Sequence, residues 1–322
     1  MPSVCFYANC EPAVGAGHLL RSIALAEEAV RLGLKAHLLT EFLPQGLDQR
    51  LADGSIALEI AVGEVTPSAL LRKASEGFDI WVFDSYKMQR SFLSEFACQF
   101  KTVMIDDEGG CAVPEARAIV NPNAWATPDL YYFHGQSPAQ LLCGPEFVLL
   151  RRELRGRKWT PVPERPQTSL LVALGGTDAT GIGPVVMRSL HDHFNGQVVI
   201  RESLSRMLEP SDFVDVLASV DMAVIGCGTT AWEALSLGVP VVGLLVADNQ
   251  ERTATFIRSR GLAEVIDCRN GLLGDQLIKA VEKTLNTSHV ESSATMKSSS
   301  MIDGRGAERV ARTLRWIGEI PT

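Results

Sequence analysis

The 322-residue chain sets 30 Lys and Arg against 38 Asp and Glu, a formal charge of −8, with 46% hydrophobic and 21% charged residues. It is longer than one hydrophobic core usually supports, so two domains are expected. The acidic balance, with no Lys/Arg block, argues against nucleic acid or an anionic membrane surface as partner, while leaving room for a local site that takes a small anion.

Seven cysteines are scattered without a Cys-x-x-Cys pair, so zinc ligation and a thioredoxin-like motif have no support and a reducing compartment is expected. The N-terminus lacks the basic-then-apolar pattern of a signal peptide, and the longest apolar run, 239–247, is too short to span a bilayer. A soluble, cytoplasmic protein is the expectation.

In chain order, residues 4–8 read as a buried first strand and 19–32 as a helix with apolar residues close to one turn apart. Between them Gly15-Ala16-Gly17-His18 delivers a histidine to a helix N-terminus at the carboxyl end of a strand. That edge of a parallel sheet is where ligands bind, and the helix end offers N–H groups to an anion. Strands follow at 35–39, 79–84, 102–105, 118–120 and 141–143, with helices at 67–75 and 92–100. Residues 151–166 carry three prolines and six basic residues and read as a surface linker whose charges are solvated. A second run of strands is read at 169–174, 197–201, 221–225, 241–246 and 263–266, with helices at 231–237 and from 248 to about 261. The Ser-rich stretch 292–300 reads as loop or frayed chain, and 303–317 as a last helix. Alternating strands and helices imply parallel crossovers and an α/β layer fold.

In the second half, Gly175-Gly176-Thr177 and the turn 226–230 each place glycines and hydroxyls between a strand and a helix. Both suit a pyrophosphate, because glycine admits close backbone approach while N–H and hydroxyl donors meet the oxygens. Glu233 lies one turn into the following helix, where a carboxylate can accept from ribose hydroxyls. In the first half, Asp84 ends a strand and either caps a turn or serves a site. Arg21 lies three residues after His18 on the same side of the helix; contact with a diphosphate, orientation of a nearby carboxylate and a local bridge all remain open. Asp106, Asp107 and Glu108 alternate sides in extended chain and make a poor shared metal site, so solvated turn carboxylates are expected. His191-Asp192-His193 reads as exposed polar sequence, and His37, His134 and His289 have no evident partner.

The ordered motifs carry a resemblance. They are Gly-x-Gly-His-x-x-Arg at 15–21, Phe-Asp-Ser-Tyr at 83–86, Ile-Asp-Asp at 105–107 and Asn-Pro-Asn at 121–123 in the first half. In the second half come Leu-Gly-Gly-Thr-Asp at 174–178, Gly-x-Gly-Thr-Thr-x-Trp-Glu at 226–233, Leu-Gly-Val-Pro at 237–240, Asp-Asn-Gln at 248–250 and Asp-Gly-x-Gly-Ala-Glu-Arg-Val at 303–310. Together they resemble the UDP-2,4-diacetamido-2,4,6-trideoxy-β-L-altropyranose hydrolases of pseudaminic acid synthesis and the related spore-coat polysaccharide proteins.

The resemblance implies a GT-B-like α/β fold of two Rossmann-like parallel-sheet domains facing across a cleft. The implied divisions are an N-terminal domain 1–152, a linker 153–167, a UDP-binding domain 168–302 and a helix 303–322 returning to the first domain. It implies metal-free hydrolysis of a UDP-sugar at C1, with no cofactor. His18 would be catalytic, with Tyr86 and Asn249 as catalytic or supporting groups. Gly15, Gly17, Arg21, Asp84, Asn121 and Gln250 would be on the substrate side. UDP would lie against Gly176, Thr177, Gly228, Thr229, Thr230 and Glu233. Ser85 departs from the pattern, which commonly has histidine there, and that touches the sugar substituents recognised.

A GT-B glycosyltransferase would share the UDP site, and a non-catalytic nucleotide-sugar binder would tolerate loss of His18. A nicotinamide oxidoreductase would rest on Gly15-x-Gly17, but Leu20 occupies the third glycine position and a loop intervenes where that fingerprint needs a tight turn. No Gly-x-Ser-x-Gly elbow supports a serine hydrolase.

Overall fold

A computed structural model describes residues 1–9, 17–44, 46–131, 140–160, 167–174, 178, 180–194, 198–202, 210–271, 274–288 and 293–320. The chain divides into two compact units, Met1–Arg151 with Arg305–Thr322, and Arg152–Gly304.

The first unit contains β1 (Ser3–Ala8), α1 (Gly17–Arg31), β2 (Lys35–Thr40), α2 (Leu47–Asp53), β3 (Ala57–Ile60), α3 (Pro67–Ala74), β4 (Ile80–Asp84), α4 (Arg90–Gln99), β5 (Thr102–Ile105), β6 (Ala118–Asn121) and β7 (Gln140–Cys143). Its seven strands run in the order β3-β2-β1-β4-β5-β6-β7, with every described pairing parallel. Cys5, Tyr7, Trp81 and Phe83 alternate along β1 and β4 and pack with Leu70 of α3 and Phe96 of α4. The intervening Val4, Phe6, Ile80 and Val82 are equally buried and point the other way. Burial on both faces is what a parallel sheet requires, and it explains why these strands read as continuous apolar runs.

The second unit contains β8 (Thr168–Ala173), α5 (Gly183–Phe194), β9 (Val198–Glu202), α6 (Pro210–Ser219), β10 (Met222–Gly226), α7 (Thr229–Leu237), β11 (Val241–Leu245), α8 (Glu251–Ser259), β12 (Glu264–Asp267), α9 (Gly274–Ser288) and α10 (Ser293–Met301). Its five strands run β12-β11-β10-β8-β9, again parallel throughout. The final helix α11 (Gly306–Glu319) belongs to the first unit and packs on α1. Gly306 makes that docking possible, since a Cβ there would lie 2.2 Å from the Val148 carbonyl oxygen.

Four sequence readings need correction. The 153–167 linker is not free chain over its described part: Trp159 is buried, its backbone N–H donating to the Leu237 carbonyl (2.7 Å) and its indole N–H to the Val220 carbonyl (2.8 Å). The units accordingly part at 151/152 and at 304/305 rather than at 152/153 and 302/303. Residues 293–301 form α10, packed on α7, with Ser298 buried: tertiary contact, which local composition does not encode, makes a helix of this polar stretch. Finally, α2, β3, α5, α6 and α9 occupy stretches for which the sequence reading assigns no element, α2 and β3 being short.

In each sheet the strand order reverses once, between β1 and β4 in the first unit and between β8 and β10 in the second. Such a reversal opens a crevice at the carboxyl ends of the two strands, where ligands of open α/β sheets bind. Helix α1, which begins at Gly17-His18, is the next described element after β1, while Asp84 closes β4 and is followed by Ser85 and Tyr86. Leu174, just past β8, and residues 226–230 occupy the corresponding ends in the second unit.

Candidate active site

In the first unit, the helix α1 places His18, Arg21 and Ser22 at i, i+3 and i+4, hence on one face near its first turn. The register sets Ala8 beside Asp84, so the last residue of β4 stands against that face. All three side chains bond to it. Arg21 donates from Nε to Asp84 Oδ2 (2.8 Å) and from Nη2 to Oδ1 (2.5 Å). The Ser22 hydroxyl donates to Oδ2 (2.9 Å), and His18 Nδ1 lies 2.6 Å from Oδ1.

Asp84 is 1% exposed, and Oδ1 and Oδ2 each have two partners, which fills the acceptor capacity of a carboxylate. Burial pushes its pKa up, but the charge of Arg21 and the hydrogen bonds from Arg21 and His18 outweigh that and hold it well below the ordinary carboxylate range. An ionised Asp84 can only accept, so His18 Nδ1 must carry the proton it shares. The 3.0 Å approach of Arg21 Nη2 to Nδ1 is then a meeting of two donors on one oxygen, not a bond between them. Imidazole Nε2 is left as the acceptor nitrogen of a ring whose tautomer and plane are set from behind.

A second carboxylate completes the cluster. Asp107 Oδ1 accepts from Arg21 Nη1 (2.7 Å) and from Asn123 Nδ2 (2.8 Å), while Oδ2 accepts the Tyr86 phenol. Burial raises the pKa of Asp107, yet the Arg21 charge and hydrogen bond bring it below the usual value. The Tyr86 ring meets the His18 ring edge-on, with centroids 5.0 Å apart and planes at 88°. Arg21 therefore bridges two carboxylates, and one arm of the assembly orients the imidazole directly while the other does so through Tyr86.

Several predicted roles shift accordingly. Arg21, Asp84 and Asn121 were expected against substrate; all three are buried, and they hold the site from within. Asn121 Nδ2 bonds the Asp107 carbonyl (3.1 Å) and the Tyr131 hydroxyl (3.0 Å), and its Oδ1 accepts from Asn123. Of the turn carboxylates expected to be solvated, Glu108 is exposed, but Asp106 and Asp107 are not. Asp106 is fully buried and accepts four backbone N–H groups, from Glu108, Gly109, Cys111 and Ala112, while Asp107 joins the cluster. His37, expected to lack a partner, pairs with Glu59 at 3.3 Å. Gly17 opens α1, and Tyr86 is 46% exposed. Gly15 lies outside the described residues, as do His134 and His289.

In the second unit, Gly228 caps α7 and Thr229 and Thr230 form its first turn, all half-buried at the end of β10. Gln250 belongs to the short turn Asp248–Gln250; its Oε1 accepts the Val246 N–H (3.2 Å), and its Nε2 lies 3.8 Å from where a Cβ of Gly228 would stand. The structure thus brings Gly228 and Gln250 together, with Asn249 exposed on the same turn. That turn is tied down by Arg269, which pairs with Asp248 (2.9 Å), Glu251 (2.7 Å) and Asp267 (2.6 Å). Glu233, expected toward a ribose, is buried within α7. Gly176 and Thr177 lie outside the described residues. Asp178, next along, is held at φ 39°, and its carboxylate accepts the N–H groups of Ile182 (3.2 Å) and Gly183 (2.9 Å) at the start of α5.

Asp107 and Asn123 are the site residues that sequence reasoning passed over. The signal was present: Asp107 lies just past the end of β5, as Asp84 closes β4, and strand ends on this edge carry the chemistry. Among the described residues, no group of three or more His, Cys, Asp or Glu is arranged to hold a metal ion, and no helix is long and apolar enough to cross a membrane.

No protein-family model matches the chain. It is 22% identical over 333 aligned positions, covering 95% of each sequence, to the spore coat polysaccharide biosynthesis protein SpsG of Bacillus subtilis (strain 168). Among solved structures it is similar to the glycotransferase of kitacinnamycin, with TM-score 0.68, 15% identity, and 98% and 99% of the two chains covered. It is also similar to the spinosyn rhamnosyltransferase SpnG complexed with thymidine diphosphate, with TM-score 0.65, 14% identity, and 98% and 100% covered. The fold over essentially the whole chain is that of the GT-B glycosyltransferases, two Rossmann-like α/β units built on parallel sheets.

Proposed function

We propose that this chain is an enzyme acting on a nucleoside-diphosphate sugar, and specifically a UDP-sugar hydrolase with His18 as its base. The observation that carries the reading is the imidazole whose Nδ1 is bound to a saturated, buried Asp84, so that Nε2 stands ready to take a proton. In the reaction, water attacks C1 of the sugar, its proton passes to His18 Nε2, and the bond from C1 to the phosphate oxygen breaks. UDP leaves with the electron pair. A nucleoside diphosphate is already a good leaving group, so the protein's task is to direct one water and stabilise positive charge developing on the ring. Asp84, behind the ring, meets the charge that the imidazole gains. Tyr86 holds the imidazole edge-on and is exposed enough to touch substrate.

The nucleotide is assigned to the second unit, on Gly176, Thr177, Gly228, Thr229, Thr230 and Glu233, with Asn249 and Gln250 beside them. The similarity to a spore-coat polysaccharide protein supports a place in polysaccharide building, and a solved neighbour that binds thymidine diphosphate supports the nucleoside-diphosphate class. The motif set favours a UDP-linked 2,4-diacetamido-2,4,6-trideoxyhexose, in pseudaminic-type nonulosonic acid synthesis.

The test is a panel of UDP- and TDP-sugars incubated with the protein and EDTA, without acceptor, while nucleotide release is followed. Release is expected, and His18→Ala is expected to abolish it while UDP still binds. Release only when an acceptor is added would favour a glycosyltransferase, the second reading, which the solved neighbours support through fold. Tight UDP-sugar binding with no turnover under either condition would indicate a non-catalytic binder.

A further inference from the structure

A second polar group stands at the same sheet edge and has no part in the His18 cluster. Glu41 directly follows β2, and Tyr7 of β1 pairs with Leu39 on one side and with Phe83 on the other. The buried Tyr7 phenol donates to Glu41 Oε1 at 2.7 Å. Lys87 Nζ is 3.7 Å from the same Oε1. Glu41 Oε2 is buried and, among the described residues, meets no hydrogen-bond donor; the side chain as a whole is 10% exposed.

A buried carboxylate oxygen without a donor is costly, and native structures rarely keep one unless something else supplies the donor. Here one oxygen is clamped by a tyrosine at the floor of the sheet, which fixes the other in place. The missing partner must be a hydrogen-bond donor, which excludes the phosphates of an anionic ligand.

We infer that Glu41 is a sugar-recognising residue, with Oε2 accepting from a hydroxyl or acylamino N–H of the glycosyl group and Tyr7 acting as its positioning residue. This rests on the nucleotide-sugar reading above. The glycosyl group is assigned rather than the nucleoside because Glu41 lies one strand from β1, on the edge whose histidine is assigned to C1. A neutral donor on the sugar then distinguishes substrates by the presence of one polar substituent, as sites built to hydrogen-bond a substrate group do.

The experiment uses the full chain and its Glu41→Gln and Tyr7→Phe variants. Each is titrated calorimetrically with UDP, UDP-glucose and UDP-N-acetylglucosamine, and kcat and KM are measured with whichever panel sugar the unaltered protein hydrolyses fastest. The expected result is equal affinity for UDP in all three proteins. Glu41→Gln should lose about 10- to 100-fold in affinity for the better UDP-sugar and in kcat/KM, the range of a single charge-assisted hydrogen bond. Tyr7→Phe should give a smaller loss, confined to KM. Thermal melting checks that both variants are folded; should the glutamine variant not fold, the KM-confined loss in Tyr7→Phe decides the matter.

The assignment is overturned if Glu41→Gln matches the unaltered protein on every UDP-sugar, if it weakens UDP itself equally, or if the unaltered protein binds neither UDP-sugar more tightly than UDP. Absence of hydrolysis by the unaltered protein would defeat the hydrolase reading alone, since the titrations still judge Glu41. Hydrolysis with an unaffected Glu41→Gln would defeat only the present inference.

Discussion

Replacing Arg21 by methionine tests the architecture of the site most directly. The side chain is 7% exposed and is the cation between Asp84 and Asp107, to which it donates three hydrogen bonds. Arg21→Met leaves a chain of similar length but strands two buried carboxylates. Removing one partner of a buried ion pair costs about 3–5 kcal/mol. At about 2–4 °C per kcal/mol for a unit of this size, the melting temperature near pH 7.5 should fall by roughly 6–20 °C.

The pH dependence has a definite sign. With Arg21 present, both carboxyls titrate below their unfolded values, so their contribution is complete above about pH 4 and is lost as pH falls toward the folded pKa values. Without Arg21 the strongest opposition to burial is gone, and both rise relative to the unaltered protein. The resulting penalty is then full above the raised values and relieved as pH falls through them. The gap between the two proteins should therefore be wide at pH 7.5 and narrow near pH 4.5. Adding Asp84→Asn to Arg21→Met removes one stranded charge and should recover about 1–3 kcal/mol, a coupling readable from the double-mutant cycle. Thermal melting by circular dichroism at the two pH values suffices. A loss below 2 °C at pH 7.5, or equal losses at both pH values, would refute the bridge as described.

Three further outcomes are expected. His18→Ala should reduce nucleotide release by about 10²- to 10⁴-fold, the range for a general base, with UDP affinity unchanged by titration. Asp84→Asn should lower kcat far more than it changes KM, because it disturbs the tautomer and orientation of His18, and steady-state kinetics on the best panel sugar checks the split. Gly306→Ala should destabilise the first unit by at least about 1–3 kcal/mol, since its Cβ would meet main chain at 2.2 Å, and urea denaturation would register it.

The amino-acid sequence was enough to read most of the strands, their parallel arrangement and the glycine turn at 226–230, because these follow from local periodicity and backbone freedom. It also placed His18 at a strand-to-helix junction and Asp84 at a strand end. What it left open was how these residues meet. That β4 lies beside β1, so that Asp84 faces His18, Arg21 and Ser22, depends on pairing across more than 60 positions, which no local pattern encodes. The roles of Arg21, Asp107 and Asn123 follow from that pairing and from β5 lying next to β4. Asp107 reads as a surface carboxylate until an arginine from another element is brought to it, and Trp159 reads as linker until the Leu237 and Val220 carbonyls receive its two N–H groups. Local composition sets which segments can be strand or helix; only tertiary packing decides which polar groups lose water together, and hence which of them can act as one site.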